Sequence, residues 1–325
     1  MKKVIPWMSR LRLPVIASPM FLVSGVELVL AECRAGIIGS FPALNARPIE
    51  VFDEWLCRIE EGLAESAAHN PAPYAVNLIV HRSNERLSAD IETCAKHKVP
   101  LIITSLMPPA AVVQAAHSYG GLVFHDITTV RHAEKAAEQG VDGLIVVCAG
   151  AGGHAGKLSP FALLQEVRKV FKGHIVLAGS ITSGESVLAA QALGADFAYM
   201  GTRFIATQES NAAEAYKQMI VDSAAKDIIY TDAISGIHGN YLAPSLVRAG
   251  LDPENLPKRD ASSYQSAQRW NRPKAWKDIW GAGQGVGGID GIPTVADCVA
   301  RLEREYNDAR ARLLGVSGRV TAGAA

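Results

Sequence analysis

The sequence predicts an α/β protein: a (β/α)8 TIM barrel carrying a smaller, mostly helical insertion after its eighth strand. Three observations carry that prediction. Eight short runs rich in Val, Ile, Leu or aromatic residues recur through the first two thirds of the chain. Segments of helical period lie between them. Two similar phrases, Gly140-Val141-Asp142-Gly143 and Gly194-Ala195-Asp196-Phe197, each lead from a helix into the next strand and suggest a repeated βα unit. Eight strands in sequence favour a closed parallel barrel. An open Rossmann-like sheet is the runner-up, but no GxGxxG follows the first strand, and the glycine-rich loop comes after the sixth.

The expected strands are Val15–Ser18, Ile37–Ser40, Tyr74–Leu78, Val99–Ile103, Leu122–His125, Gly143–Val147, His174–Ala178 and Phe197–Met200. Each is too short for a stable helix. Helical period appears in Arg131–Gln139, Phe161–Phe171 and Glu185–Leu193. Thr128 or Thr129 and Ser183 serve as N-caps, and Gly140, Gly173 and Gly194 as stops. After about Glu209 the rhythm changes to helical stretches and to proline loops at Ala243-Pro244, Asp252-Pro253 and Leu256-Pro257. A Trp/Arg/Lys-rich patch, Arg269–Trp280, and the run Gly281–Gly288 come next. Val295, Cys298, Val299 and Leu302 stand at helical spacing in the last amphipathic segment, Thr294–Leu314. Residues 1–209 therefore read as the barrel, completed by the C-terminal helix of 291–325, with 210–290 as a cap. The tail from Gly315 reads as frayed.

Of the 325 residues, 49% are hydrophobic and 20% charged, enough for a large core and unlike a disordered chain. Lys+Arg and Asp+Glu both number 32, which argues against a general nucleic-acid surface. Five scattered cysteines without a CxxC pair suit free thiols in a reducing compartment. Met1-Lys2-Lys3 begins like a signal sequence, but Arg10, Arg12, Pro14, Pro19 and Glu27 interrupt the stretch where its apolar core would lie. No apolar stretch reaches membrane-spanning length. The expectation is a soluble, cytoplasmic protein. GxxxxGK[ST], HExxH and GxSxG are all absent, and His125-x6-His132 lacks helical metal spacing, so no metal is expected.

The richest stretch for chemistry is Cys148–Gly156, which follows the sixth strand and places His154 among four glycines within seven residues. Glycine allows close backbone approach, and histidine exchanges protons near neutral pH. Barrels carry their chemistry at the C-terminal strand ends. Those ends hold Ser18-Pro19-Met20, Ser40, Asn77, Thr104-Ser105, His125-Asp126, Gly179-Ser180-Ile181 and Gly201-Thr202-Arg203. The loops after strands six, seven and eight together suit an anion. A phosphate-anchored organic cofactor beside a histidine remains, and flavin mononucleotide (FMN) meets it best, with Pro19-Met20 as part of a floor for its ring.

Ser18-Pro19-Met20, Val76-Asn77-Leu78, Ala151-Gly152-Gly153-His154, Ala178-Gly179-Ser180-Ile181 and Met200-Gly201-Thr202-Arg203-Phe204, taken in this order and spacing, resemble the nitronate monooxygenase (formerly 2-nitropropane dioxygenase) family. The resemblance covers essentially the whole chain, including Ala282-Gly283-Gln284-Gly285. It implies a TIM barrel with non-covalent FMN that oxidises alkyl nitronates with O2 to a carbonyl compound and nitrite. By position, His154 corresponds to the catalytic histidine. Asn77, Gly152, Gly153, Gly179, Ser180, Gly201 and Thr202 correspond to flavin contacts, with Pro19 and Met20 near the ring. The chain departs from the family pattern at Val147 and Tyr199, where many members carry Gln, and at Ser180, where they carry Gly.

His125, Ser105, Tyr241 and Gln284 are further candidates for substrate or lid contacts. Cys148 reads as a small buried hydrophobe. Arg203 reads as a phosphate partner or else as a solvent-facing or helix-start residue. Trp270, Trp276 and Trp280 read as cap core or a dimer surface. The expected partners are a small-molecule nitronate and O2, without nucleic acid or membrane, and a homodimer is the assembly to test for. Two other functions compete. One is an NAD(P)H-dependent flavin reductase, acting on quinones or on enoyl-acyl carrier proteins. The other is a non-catalytic flavin-binding scaffold.

Overall fold

A computed structural model of the chain describes residues 3–256 and 275–321. Trp270 of the aromatic patch, Pro257 of the third proline loop and the last four residues of the tail lie outside them.

Eight parallel strands form one sheet: β1 (Val15–Ala17), β2 (Gly39–Pro42), β3 (Tyr74–Val80), β4 (Leu101–Leu106), β5 (Leu122–Ile127), β6 (Gly143–Val147), β8 (His174–Ala178) and β9 (Phe197–Met200). The two-residue strand β7 (Gly153–His154) falls in the loop after β6 and belongs elsewhere. The order is β1-β9-β8-β6-β5-β4-β3-β2, and a parallel bridge between Ile16 and Ile38 joins its two ends. Ala17 N–H donates to Ile38 O at 2.8 Å and Ile38 N–H to Val15 O at 3.1 Å. The sheet is therefore a barrel, and the sixth, seventh and eighth parallel strands are neighbours.

Strand pleating sends alternate side chains to opposite faces. Ile16, Ile38, Leu101, Ile103, Phe124, Ile145, Val176 and Phe197 fill the barrel, and Ile5 and Trp7 from the N-terminal segment pack into the same cluster. Their neighbours Val15, Ala17, Val76, Ile102, Val123, Leu144 and Leu177 face the helices. With both faces buried, these strands are apolar throughout rather than alternating.

Helices connect the strands as predicted. The helix α5 (Val130–Glu138) is capped by Thr129, whose Oγ1 accepts from His132 N–H at 3.2 Å. In α7 (Gly184–Ala192), Ser183 and Ser186 form a capping box. Gly140 and Gly194 follow their helices at φ +78° and +99°, whereas Gly173 has no positive φ. The C-terminal helix α11 (Val295–Thr321) lies against α7, where Glu305 accepts from Gly184 N–H at 2.9 Å.

The segment after β9 contains α9 (Glu214–Val221) and α10 (Ala243–Arg248), and also two strands its composition did not signal. β10 (Ile228–Thr231) and β11 (Gly239–Leu242) pair antiparallel, and β11 pairs with β7 through Gly239↔His154 and Asn240↔Gly153. This small sheet fastens the glycine-rich loop over the barrel mouth. No helix of the described residues is long and apolar enough to cross a membrane.

Candidate active site

A cavity of about 920 Å³ opens at the C-terminal end of the barrel. It is lined by Pro19, Met20, Asn77, Ser105, Gly152, Gly153, His154, Gly179, Ser180, Gly201 and Thr202, so residues predicted to act together, from two strand ends and four loops, do meet. Val147, Ala178 and Tyr199 also line it, and they pack against the cluster inside the barrel, which makes them its floor.

Three candidates lie outside that lining. His125 is buried and points away from the barrel interior, since its strand neighbours Phe124 and Asp126 point inward; its Nδ1 meets Thr104 Oγ1 at 2.8 Å. Desolvation lowers its pKa to about 4, so it is a neutral core histidine. Tyr241 is fully buried behind the cavity wall. Gln284 acts through its backbone: its N–H donates to Gly150 O at 2.9 Å. Arg203 likewise lies outside the lining. Its Nε reaches Cys298 Sγ at 3.3 Å and its Nη1 donates to Gly288 O at 3.1 Å, tying the turn after β9 to the C-terminal helix and the segment before it. Cys148 is buried, and desolvation pushes its thiol up to about 12.

The glycines serve the protein before they serve a ligand. A Cβ on Gly152 would sit 2.9 Å from Gly283 N, and one on Gly283 would sit 2.6 Å from Gly150 O. The two loops therefore touch backbone to backbone, and Gly283 N–H donates to Thr202 Oγ1 at 2.8 Å. This contact stacks Ala282–Gly285 on the strand-six loop and closes one side of the cavity.

His154 is held on three sides. β11 pairs with its backbone, its ring stands nearly perpendicular to that of Trp276 with centroids 5.4 Å apart, and its Nε2 lies 3.1 Å from Ser235 Oγ. Ser235 has one proton, which it donates to Ile237 O at 2.9 Å, while its Oγ accepts from Tyr241 O–H at 3.1 Å. Its Oγ also takes Ile237 N–H at 3.4 Å, and an imidazole proton on Nε2 would satisfy the contact to His154 and leave Nδ1 as the basic nitrogen. The residue stays open to the cavity, yet the protein around its ring lowers its pKa below the ordinary histidine value by desolvation, which favours the neutral base at pH 7. Trp276 thus lines the cavity and stacks on Tyr241 at 5.3 Å. Trp280 is core as expected, stacked on Tyr216 at 4.8 Å under the guanidinium of Arg248.

A second polar group spans β3, β4 and β5. Asn77 Nδ2 donates to Ser105 Oγ at 3.0 Å, and Ser105 Oγ donates to Asp126 Oδ2 at 2.6 Å. Asp126 Oδ1 is buried without a partner. Desolvation raises this carboxyl to about 7, opposed by the Ser105 hydrogen bond, and burial together with Asp126 raises the Tyr199 phenol. Since the folded pKa of Asp126 exceeds its unfolded value, the protonated form stabilises the fold at acid pH. That contribution is lost as pH rises through about 7. Asp126→Asn should therefore gain on the order of 2–3 kcal/mol over the parent at pH 8 and little at pH 4 in denaturant unfolding of the ligand-free protein. Parallel curves for both proteins across that range would contradict this.

No metal motif was expected. Among the described residues, Asp53, Cys57 and His97 do converge between α2 (Glu50–Glu65) and the end of α3 (Leu87–Lys96), away from the cavity. His97 meets Asp53 at 2.8 Å and Glu60 at 3.1 Å, and Lys96 meets Asp53 at 2.6 Å, so ion pairing accounts for the grouping.

Residues 43–305 match the family model for nitronate monooxygenase. The chain belongs to the nitronate monooxygenase family. It is accordingly a flavin-dependent oxidoreductase. A nitronate monooxygenase of Paraburkholderia phytofirmans is 27% identical over 346 residues, covering 90% of this chain and 92% of that protein. A hydroxy-methyl-oxo-octahydroindene-carboxyl-CoA dehydrogenase of Rhodococcus jostii is 26% identical, covering 79% and 72%. Among solved structures, FabK of Thermotoga maritima superposes with a TM-score of 0.74 at 21% identity, covering 97% of this chain and 99% of that one. A nitroalkane oxidase of Streptomyces ansochromogenes superposes at 0.75 with 22% identity, covering 94% and 99%. Both superpositions establish the barrel fold.

Proposed function

We propose that this member of the family binds FMN and oxidises alkyl nitronates with O2 to a carbonyl compound and nitrite. The observation that carries the reading is His154 on the wall of the same cavity that gathers the glycine and hydroxyl loops. The donor set suits a phosphate. Gly179 at φ +134° and Ser180 at φ +55° turn the backbone after β8 beside the hydroxyls of Ser180 and Thr202, and the one acidic lining residue, Asp126, enters from β5. Gly179, Ser180, Gly201 and Thr202 would hold the phosphate of FMN. Val147, Ala178 and Tyr199 would lie under or beside its ring with Met20. Asn77, Ser105 and the partnerless oxygen of Asp126 would meet its polar edge. When bound, FMN supplies the electron transfer between substrate and O2.

The protein's own part is binding and proton handling. A nitronate is already deprotonated and needs no base, so it meets His154 through a proton on Nδ1, in the protonated ring; for a neutral nitroalkane the free Nδ1 accepts the α-proton. Ser235 fixes which nitrogen is basic. Ser235→Ala should lower kcat/KM about tenfold on neutral nitroalkanes and much less on preformed nitronates. Nitrogen NMR of His154 should show mixed tautomers in the variant. Equal losses on both substrates with an unchanged tautomer would contradict the assignment. The five free cysteines support a reducing, cytoplasmic location.

A further inference from the structure

The cavity is chemically divided. Glycines and hydroxyls from the loops after β6, β8 and β9 line one half. The other side carries Phe21, Leu44, Ile79 and Leu106 from the loops and ends of the first four strands, beyond the polar Asn77 and Ser105 on β3 and β4, and Ile237, which enters between β10 and β11 beside His238. Leu106 and Ile237 are 49% and 46% exposed, and Leu22, next to Phe21, is 43% exposed.

The backbone singles out the same region. Of the six non-glycine residues with positive φ among the described residues, Ser180, Trp276 and Leu106 line the cavity and Leu22 adjoins it. Leu22 and Leu106 hold φ +64° and +81°. A leucine in that region is strained, where glycine or asparagine would sit comfortably. Hydrogen bonds hold both turns: Leu22 N–H donates to Asn45 Oδ1 at 3.0 Å, and Met107 N–H donates to Val80 O at 3.0 Å. Each leucine thus accepts backbone strain and exposes its side chain to water, so neither position is explained by the stability of the fold. Leu106, which lines the cavity, is explained by an apolar ligand lying against it.

We infer that this apolar group is a hydrocarbon subsite, and that the substrate carries a medium-length or cyclic hydrocarbon body behind the small anionic head that meets His154. This rests on the proposed function for the head group alone. Leu106 and Ile237 are the specificity-determining residues, and a nitronate of two or three carbons leaves them in water.

Two series on the holoenzyme test this. Saturated carboxylates from butanoate to decanoate, planar anions that do not react, are titrated by calorimetry. Nitronates from nitroethane to 1-nitrooctane are compared by kcat/KM. The expected result is a rise of about fourfold per added methylene in both series. The heat-capacity change of carboxylate binding should also become more negative with length. Leu106→Asn suits the left-handed backbone and removes the apolar wall, so the loss it causes should grow with chain length to about tenfold for decanoate. Ile237→Ser should act in the same direction. Affinity that does not rise with length, or a slope unchanged in both variants, overturns the inference. A carboxylate slope without nitronate turnover upholds the subsite and removes the nitronate reading; turnover with flat slopes does the reverse.

Discussion

His154→Ala is expected to lower kcat/KM for neutral nitroalkanes by about two to four orders of magnitude, and for preformed nitronates by less, while the protein keeps its flavin and its fold. The side chain lies on the cavity wall and contributes a ring contact to Trp276 and one hydrogen bond to Ser235, whereas its backbone pairing with β11 survives truncation. Loss of flavin absorbance together with activity would instead make the residue structural. His154→Asn sharpens the comparison, because it retains a polar group without a proton acceptor of useful basicity. The parent's activity on neutral nitroalkanes should rise with pH through a midpoint below the ordinary histidine value, because desolvation lowers that pKa. The rise should be absent from both variants, and its persistence in either would assign the base elsewhere.

Gly179→Ala should show the largest structural effect in the site. The residue holds φ +134°, a region that L side chains rarely adopt, and a Cβ would lie 2.7 Å from Ala149 O. Strain and a clash with fixed backbone act together, costing about 2–4 kcal/mol. The turn it forms is also the proposed phosphate loop, so flavin content should fall with stability. Denaturant midpoints and the flavin-to-protein absorbance ratio measure the two effects. Ser180→Gly is the informative contrast. It removes a left-handed side chain at φ +55° and should stabilise the apoprotein by about 0.5–1 kcal/mol while losing one hydroxyl donor. A Gly179→Ala protein with normal stability and full flavin would remove the reason for placing the phosphate there.

Much of the barrel was legible because its strands are buried on both faces and are therefore apolar without interruption. Gly143–Val147, His174–Ala178 and Phe197–Met200 have the expected bounds, whereas β4 runs Leu101–Leu106 instead of Val99–Ile103. The same continuous apolarity hides which side chains face inward. Leu122–Ile127 gives no local sign that Asp126 enters the cavity and His125 leaves it, because that parity depends on register with β4 and β6. The strands β10 and β11 were invisible for a different reason. Each has four residues, and the sheet they form is completed by two residues of a distant glycine loop. Ser235 carries no sequence signal at all, since its role comes from the fold of the β10–β11 connection onto His154. The glycine motifs were read correctly as a cluster, but Gly152 and Gly283 owe their identity to each other.

The proposed reaction is oxidation of nitronates by O2 through flavin bound in this cavity. The most direct measurement mixes the purified, flavin-loaded protein with an alkyl nitronate in air, and separately with NADH or NADPH without oxygen. The expected result is nitrite release that requires O2 and falls with His154→Ala, and a flavin spectrum left unbleached by either nicotinamide. Rapid bleaching by NADH or NADPH, with no nitrite formed from any nitronate, would contradict it and make the protein a nicotinamide-dependent flavin reductase.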